Sequence, residues 1–490
     1  MKRLISCMFY KVFFILVICL CHISIIYCQT LTKNQMLEDL NFMESKIKQY
    51  YIPLPLLENR TGVCFVEEFN FLKSKITKDE PIENFVELVR QGLNIINDPH
   101  SQIVRKDQIK WYVPNSYLSA VGNVTLKDTI SADYFHSLVS DTIYSKIKCQ
   151  ILVKYINGSY YNVRPFGYEN LIVDSGEQIT AIDGVPMNDF VNKYRNMMLF
   201  TSWDPILKQW FCESFKVSLP LIGKTQFTLT VGGKDLKLDC GKPLTILSRE
   251  FTKSYSPQVY LIDNNILYIR MPMMMNVDWY REELLKKYTP DVKKIVIDIR
   301  DNGGGDDSVW QDLLKVIIHK RLTYQYKVQI PNNDTLIHCV HSFGDIRRIG
   351  NNVYVESDRV IEPDSNSINY DGKIYILQNK YTFSAAAALS SVAWQNTDLI
   401  LVGEPTVAIS GYTFPAIMFK LPNSQVVFNL AFSCDAVGGS SNPFMDKVEV
   451  QIAEDADIKG YIDKIMNYDC YGLDYIMNKD KLIKYIKSVH

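Results

Sequence analysis

The sequence predicts a multidomain α/β protein, with helices near its amino terminus, short strands in its middle and an alternating core. Its 490 residues are too many for one hydrophobic core. Between residues 258 and 402, apolar strand-like runs alternate with helical patterns, as in α/β folds. Hydrophobic content of 47% and charged content of 22% are ordinary for a globular protein. A net charge of −1 gives no indication of a nucleic-acid or membrane-surface binder.

The first 28 residues have the pattern of a secretory signal peptide. Lys2 and Arg3 precede an apolar run over residues 4–27, so the positive end comes first. An uncleaved membrane anchor is the alternative, since the run is nearly long enough to span a bilayer. Cys28 is a candidate lipoprotein acylation site, although Tyr27 before it is larger than such sites usually tolerate. We therefore expect an exported protein (periplasmic, cell-surface or secreted) that contacts a membrane only through this leader or a lipid at Cys28.

The cysteines beyond the leader are scattered, odd in number and without a metal-binding spacing. Two interpretations stay open: some pair as disulfides in an exported protein, or they are buried free thiols. No cofactor or metal is expected. These cysteines are Cys64, Cys149, Cys212, Cys240, Cys339, Cys434 and Cys470.

Residues 29–114 form the predicted N-terminal helical domain. Apolar residues at helical spacing predict a helix from Lys33 to Tyr51. A second helix is predicted from Pro81 to Ile96, because proline suits a first turn. It ends at Asn97-Asp-Pro-His-Ser101, a turn sequence that places His100 in a loop.

Residues 115–245 are predicted to be rich in short strands. The clearest runs begin near Ile151, Gln178 and Phe227. The stretch 176–187 has a strand, a tight turn at Asp183-Gly184, and then a short strand and helix. It resembles the corresponding part of PDZ-type peptide-binding modules, and a plain β-hairpin is the alternative.

Residues 246–457 form the predicted α/β core, followed by a helical segment over 458–490. The run from Lys293 to Ile299 is continuously apolar, as expected of a strand covered on both faces. A helix follows from Asp307 to Ile318, and a second strand–helix pair spans residues 373–394.

Two turns in this core have the chemistry of an acyl-transfer site. Ser384 directly follows a strand and precedes Ala385-Ala-Ala-Ala-Leu389, a run of helix formers. It could simply cap the helix. It could also be a nucleophile at the positive helix end, with the Ala385 N–H as one oxyanion donor.

The second turn is a glycine run that follows the strand ending at Ile299. Asn302-Gly-Gly-Gly305 allows positive φ and a close approach of the backbone to a ligand. A phosphate loop is its rival, but neither common phosphate-binding glycine motif is present.

A hydroxyl nucleophile needs a base, and histidine is the usual one. His100 is favoured because it lies in a loop. His338 and His341 are predicted to lie in a strand-like stretch, where they are weak evidence for a metal. The histidines between the leader and the last residue are His100, His136, His319, His338 and His341.

Together these motifs resemble the tail-specific (C-terminal processing) protease and tricorn superfamily of serine peptidases. The resemblance rests on residues 298–305, Ser384 with the small residues after it, Val402-Gly-Glu-Pro-Thr406, Asp98-Pro-His-Ser101 and a degenerate closing motif over 443–450. It covers nearly all the mature chain. It implies a crotonase/ClpP-like core, a PDZ-like domain in the usual place and a peptide or polypeptide substrate.

The missing lysine selects the branch that the chain resembles. The processing proteases use a Ser–Lys dyad whose lysine would fall near Ile409, but no lysine occurs between Lys380 and Lys420. The tricorn-like Ser–His arrangement is therefore favoured, with Ser384 as nucleophile and His100 as general base.

The resemblance also implies the groups around this pair. The oxyanion would be bound by the N–H of Ala385 and of Gly304 or Gly305. Gly303 is less favoured, because that position is often proline in the family. Ser101 would help to position the imidazole.

The orienting acid has no clear counterpart in the sequence. The tricorn-like branch has a glutamate shortly before the closing motif, and residues 435–442 contain none. Asp435, Asp446 and Glu404 are the candidates.

Two other functions are compatible with such a core. A weak or inactive member of the family would act as a peptide- or lipid-binding protein, but it need not retain both Ser384 and His100. An acyl-CoA lyase or hydratase would need Asp306 and Asp307 as its acids and would lack a signal peptide. The sequence does not indicate an oligomeric state.

Overall fold

The computed structural model describes residues 30–115, 121–146, 148–199, 201–248, 256–407, 414–437 and 448–489. The leader with Cys28 and the candidate Asp446 lie outside this part of the chain. Within it, none of the helices has the length and apolar character needed to cross a bilayer. The seven cysteines after the leader are free thiols in this structure.

The N-terminal region is helical, as predicted. The two long helices have the expected bounds, and Thr32 and Gln35 form a capping box at the start of the first. Three shorter helices were not predicted, because each is too short for a clear periodic pattern. The elements are β1 (Thr30–Leu31), α1 (Lys33–Tyr50), α2 (Leu54–Thr61), α3 (Phe65–Ser74), β2 (Glu80–Pro81), α4 (Ile82–Ile96) and α5 (Lys106–Asn115).

The middle region begins with a helix that the sequence analysis missed, α6 (Thr129–Lys146), preceded by a 3₁₀ turn at Leu126–Asp128. Short strands follow, as predicted. The hairpin at Asp183-Gly184 is confirmed, and both turn residues have positive φ, 51° and 73°. These elements are β3 (Val153–Ile156), β4 (Ser159–Asn162), β5 (Phe166–Tyr168), β6 (Leu171–Val173), β7 (Gln178–Ile182), β8 (Val185–Pro186), α7 (Met187–Tyr194), β9 (Ser202–Asp204), β10 (Gln209–Phe211), β11 (Gln226–Val231), β12 (Lys234–Asp239) and β13 (Thr245–Ile246).

The main sheet of this region has the order β12-β11-β7-β4-β3, with β8 paired to β7. Its neighbouring strands are antiparallel. Strands β9 and β10 form a separate hairpin, and the chain leaves β10 into a 3₁₀ helix at Ser214–Leu221. Glu213 stands directly before that helix.

The α/β core is built on a second sheet, whose strands in spatial order are β14 (Gln258–Ile262), β15 (Ile266–Arg270), β16 (Lys294–Asp298), β20 (Ile374–Gln378), β21 (Leu399–Gly403) and β25 (Val450–Gln451). Only the first pair is antiparallel. Ile295, Val296 and Ile297 in its centre are completely buried, as their continuous apolar run predicted. Its elements are β14 (Gln258–Ile262), β15 (Ile266–Arg270), α8 (Val277–Lys287), β16 (Lys294–Asp298) and α9 (Asp307–Ile317).

The core also includes a long antiparallel strand pair that the sequence did not reveal. It is formed by β17 (Leu322–Ile330) and β19 (Asn352–Ile361), with β18 (Asp345–Ile349) beside it. The prediction that His338 and His341 lie in a strand-like stretch is wrong. They belong to α10 (Asp334–Val340) and the 3₁₀ turn after it, because the Asn333 side chain accepts from the Leu336 N–H at 3.1 Å and caps a helix.

The remaining core elements complete the sheet and the site. They are β20 (Ile374–Gln378), α11 (Ala385–Trp394), β21 (Leu399–Gly403), β22 (Ile417–Lys420), β23 (Val427–Leu430), β24 (Cys434–Asp435) and β25 (Val450–Gln451). Strands β22 and β23 form a hairpin, and β24 pairs with β17. The prediction of an α/β multidomain fold is confirmed.

The C-terminal helices cover one face of the core sheet. They are α12 (Ile458–Asn467), α13 (Leu473–Asn478) and α14 (Lys481–Ser488). Their apolar side chains join a cluster with Val296, Leu377 and Val402 from the sheet. Beneath them the Arg300 guanidinium is buried between Asp298 (2.6 Å) and Asp480 (2.8 Å).

Asp480→Ala should lower the free energy of unfolding by about 3–5 kcal/mol, because it leaves the Arg300 charge buried without one of its partners. It also removes the cap of α14. The matched control is Asp474→Ala, at an exposed position in α13, which should cost less than about 1 kcal/mol. Urea unfolding measures both. Equal small losses would show that Arg300 does not need Asp480.

Candidate active site

A hydrogen-bonded turn over residues 379–383 carries the chain from β20 into α11, and it is called the nucleophile turn below because it precedes the candidate nucleophile Ser384. The Asn379 N–H donates to Thr382 Oγ1 at 3.2 Å, and that hydroxyl donates to the carbonyl of Ile299 at 3.0 Å. The Phe383 N–H donates to the carbonyl of Asn302 at 2.9 Å. The turn is therefore tied to the end of β16, and Ser384 follows directly from it.

Ser384 has a strained backbone, with φ 56° and ψ −126°. Positive φ is unfavourable for a residue with a side chain, and such strain collects at functional sites. Ser384 occupies the N-cap position of α11, but its side chain makes no capping hydrogen bond. The structure therefore does not support the interpretation of Ser384 as a plain helix cap.

The glycine turn lies directly against this serine. A Cβ on Gly304 would come within 2.6 Å of Ser384 Cβ and 3.0 Å of the Ala385 nitrogen, and its φ is +99°. Only glycine fits at this position. The two turns, about eighty residues apart in sequence, thus form one surface.

The backbone donors at this surface differ in availability. The Gly304 N–H donates to Asn302 Oδ1 at 2.8 Å. Among the described residues, the N–H groups of Ala385 and Gly305 have no hydrogen-bond acceptor. Of the two glycines expected as the second donor, Gly305 is therefore the one whose N–H is available.

The loop that carries His100 is joined to the core by backbone pairing with β23. The Gln102 carbonyl accepts from the Asn429 N–H at 2.9 Å, and the Val104 N–H donates to the Val427 carbonyl at 3.0 Å. Ser101 Oγ accepts from the Ala431 N–H at 3.0 Å. The structure thus shows Ser101 attaching the loop to the core.

This pairing brings His100 to the nucleophile turn. The imidazole packs against the ring of Phe383, the residue before Ser384, with centroids 4.2 Å apart. The side chain is 18% exposed. His100 therefore packs on the residue next to Ser384, although 283 residues lie between His100 and Ser384 in the sequence.

Asp98 is the acid that contacts this histidine. Its Oδ1 lies 3.4 Å from His100 Nδ1 and accepts from the His100 N–H at 2.9 Å. The sequence analysis quoted Asp98 within the loop motif but did not consider it as the orienting acid. The signal was present in the Asp-x-His spacing, which lets a carboxylate turn back onto the second residue after it.

The three acids proposed from the sequence lie elsewhere. Asp435 is buried on β24, and its Oδ1 accepts from the Val437 N–H at 2.9 Å. Burial raises the pKa of Asp435 to about 7. Glu404 lies in a separate cavity, and Asp446 is outside the described residues. In the described part of the chain, neither Asp435 nor Glu404 hydrogen-bonds or ion-pairs with His100.

A cavity of about 600 Å³ opens beside the site. Asp98, Pro99, Gly303 and Phe383 line it next to the two turns, and residues of α4, α6 and the segment after β10 form part of its other walls. It is large enough to enclose several residues of a peptide. His136, which has no motif around it in the sequence, also lines this cavity.

Glu213 connects the β-rich region to the nucleophile turn. Its carboxylate accepts from Lys380 Nζ at 2.8 Å and from the Tyr381 hydroxyl, and Lys154 Nζ lies 3.2 Å away. Burial alone would raise the pKa of Glu213, but the two lysines outweigh burial and lower it to about 2. The turn before Ser384 is therefore anchored to a carboxylate from outside the core.

Residues 265–428 match the family model of peptidase family S41. The matched segment begins directly before β15, ends in β23 and includes both turns. This segment, less than half of the chain, is similar to peptidase family S41, the kind of serine peptidase that the sequence motifs predicted.

Solved structures of mature CPAF support the same fold for most of the chain. Mature CPAF is 13% identical, with a TM-score of 0.54, over 92% of this chain and 99% of its own. Mature CPAF complexed with lactacystin is 12% identical, with the same TM-score, over 91% and 99%. The photosystem II D1 C-terminal processing protease is 14% identical over 88% and 97%, with a TM-score of 0.38. No curated protein sequence matches the chain significantly.

Gly304→Ala should reduce the reactivity of Ser384 in this S41 domain roughly 100-fold, because a displacement of about 1 Å at a reacting group has that effect. The new methyl would overlap Ser384 Cβ. Gly303→Ala is the matched control, since a Cβ there meets nothing within 4 Å. The rate of labelling by a fluorophosphonate probe measures both. Equal rates in the two variants would contradict the close packing of Gly304 on Ser384.

Glu213→Gln should lower kcat roughly tenfold and leave KM nearly unchanged, because it loosens the turn without touching substrate. Glu169→Gln, at an exposed position of the same region, should change neither constant. Rates are normalised to the folded fraction. A Glu213→Gln enzyme that only unfolds more easily, with normal kcat, would show that this carboxylate is purely structural.

Proposed function

We propose that this chain is an exported serine peptidase that hydrolyses peptide bonds through a Ser384 acyl-enzyme, with His100 as general base. The observation that carries this proposal is the packing of the His100 ring on Phe383, next to the strained Ser384. The S41 family supplies the reaction class, and the predicted signal peptide supports export.

In the first step, Ser384 Oγ attacks the carbonyl carbon of the scissile peptide bond while His100 takes the hydroxyl proton. The carbonyl oxygen becomes an oxyanion, which the N–H groups of Ala385 and Gly305 stabilise. The helix start at Ala385 adds its positive end to the same charge.

The tetrahedral intermediate then collapses, and the bond from carbon to nitrogen breaks. The imidazolium returns its proton to the departing amine, and the acyl group remains on Ser384. A water molecule gives a proton to His100, attacks the ester and releases the carboxylic acid product. Ser384 regains its hydrogen, so the enzyme returns to its starting state.

Asp98 is the group to which we assign the orientation of this histidine. A carboxylate near Nδ1 favours the tautomer with the proton on Nδ1, which leaves Nε2 to accept from serine. It also stabilises the imidazolium that forms during each step. Asp98 thus takes the role for which the sequence offered Asp435, Asp446 and Glu404.

The environment of Lys380 supports histidine over lysine as the base. Lys380 is the lysine nearest to Ser384 in sequence. Its ammonium is paired with Glu213 at 2.8 Å and lies over the rings of Phe211 and Tyr381. These contacts hold the Lys380 ammonium on Glu213, so we assign the proton transfer to His100.

Labelling by a fluorophosphonate, combined with turnover of an unstructured polypeptide such as casein, tests this function. Ser384→Ala should abolish labelling, and His100→Gln should slow it at least 100-fold, because the hydroxyl loses its base. Ser391→Ala, on the same helix, is the matched control and should label normally. Labelling that survives in Ser384→Ala would overturn the assignment of the nucleophile.

The same assay distinguishes an inactive binding protein. If wild-type protein neither labels nor cleaves casein, while it is folded by circular dichroism, the hydrolytic proposal fails. Full labelling of His100→Gln would leave the nucleophile in place and remove His100 as the base.

A further inference from the structure

A second cavity, of about 490 Å³, lies on the other side of Lys380 and Tyr381 from the one that adjoins His100. Both residues line the two cavities and form part of the wall between them. The second cavity is enclosed by the β-rich region, the ends of the core strands and α12. It contains no residue of the proposed Ser384–His100 pair.

The walls of this cavity are aromatic and its lip is apolar. Tyr155, Trp203, Phe211 and Tyr461 form part of the lining. At the lip, Ile206 in the β9–β10 turn is 83% exposed, and Leu207 beside it is 46% exposed. Exposed apolar side chains at the mouth of a cavity are typical of a binding site.

The cations in the lining already have partners. Lys154 Nζ lies 3.0 Å from Asp455, Lys380 Nζ lies 2.8 Å from Glu213, and Lys464 contacts Glu454. Five carboxyl groups but only three lysines line the cavity. The lining residues themselves therefore carry more carboxyl groups than ammonium groups.

Glu404 is a carboxyl group of this lining whose nearby lysines are paired with other acids. Its backbone is fixed by Gln378, whose carbonyl accepts from the Glu404 N–H at 3.2 Å. Among the described residues, its side chain has no hydrogen bond and no ion pair. A largely enclosed carboxyl group in this state is costly unless it is neutralised or meets a donor.

We propose that this cavity binds a primary ammonium group on a short apolar chain, of the kind that a lysine side chain presents. The ammonium would pair with Glu404, and the methylene groups would lie against Trp203 and the apolar lip. The aromatic walls add a favourable cation–π interaction. An anion is disfavoured, because the lining is already negative.

Binding should depend on pH in a defined direction. Burial raises the pKa of Glu404 to about 7. The charges of Lys380 and Lys154 oppose this rise, and the charges of Glu454 and Asp455 add to it. The acids around Lys154 outweigh its burial and raise its pKa, and the nearby cations outweigh burial and lower the pKa values of Glu454 and Asp455. These three groups therefore stay charged between pH 5 and 8. Only ionised Glu404 pairs with a cation, so affinity should fall as pH decreases below about 7.

Calorimetric titration of the full chain with n-hexylammonium chloride tests the proposal. At pH 7.5 we expect saturable binding, with n-hexanol and hexanoate at least tenfold weaker. Below pH 7 the affinity should fall by up to about tenfold per pH unit. Equal binding of hexanol and hexylammonium, or an affinity that does not change with pH, would overturn the proposal.

Variants locate the site. Glu404→Gln should weaken hexylammonium binding at least tenfold, and Glu449→Gln, at an exposed position just before β25, should not change it. Ile206→Ser, at the exposed lip and away from the buried charges, should weaken binding several-fold even if Glu404→Gln fails to fold. Unchanged binding in Ile206→Ser would also contradict the proposal. None of these outcomes depends on Ser384 or on peptide hydrolysis.

Discussion

The backbone pairing between the His100 loop and β23 is the contact on which the proposed chemistry depends. Two backbone hydrogen bonds, at Gln102 and Val104, make the loop an extra strand beside the β22–β23 hairpin. Asp39 of α1 holds the other end of that hairpin by accepting from the N–H groups of Asn423 and Ser424, each at 2.8 Å. The N-terminal region is thus hydrogen-bonded to both ends of the β22–β23 hairpin, and these contacts fix the position of the His100 loop.

The nucleophile turn has the opposite design, because its geometry is enforced from within the core. Ser384 keeps a backbone conformation that costs on the order of 1–3 kcal/mol. The hydrogen bonds of Thr382 and Phe383 to the segment that follows β16 offset that cost. Gly304 has no side chain and therefore leaves room for Ser384, with which any larger residue would collide. The conformation of Ser384 therefore depends on both turns, the one that follows β16 and the one that follows β20.

The sequence predicted most elements of the core and the residues of the proposed nucleophile and base. Long apolar runs such as 293–299 identify buried strands, and the glycine run and Ser384 stand where such strands end. It missed α6, the β17–β19 strand pair and the helix that contains His338. In those places local pattern was weak or misleading, and pairing with distant segments or a cap at Asn333 decided the structure.

The orienting acid shows a different limit of sequence analysis. Resemblance to the tricorn-like branch directed attention to residues near the closing motif, far from His100 in the chain. The contact itself is local, since Asp98 and His100 are two residues apart. Separation in the sequence therefore did not predict which groups lie together. The proposed base is far from Ser384 in the chain, whereas the acid beside that base lies in the same loop.

The wall between the two cavities, at Lys380 and Tyr381, is held by residues from several regions of the chain. Glu213 binds Lys380 and Tyr381 from the β-rich region, while Asn379 beside them donates to Asp301 and Glu454 at 3.0 and 2.9 Å. The segment before Ser384 is thus held by charges from three parts of the chain. Because Lys380 and Tyr381 face both cavities, a cation that pairs with Glu404 would add positive charge beside this segment. That charge would repel the ammonium of Lys380 and attract the carboxylates near Lys380. The ligand and the nucleophile turn would therefore share one electrostatic network.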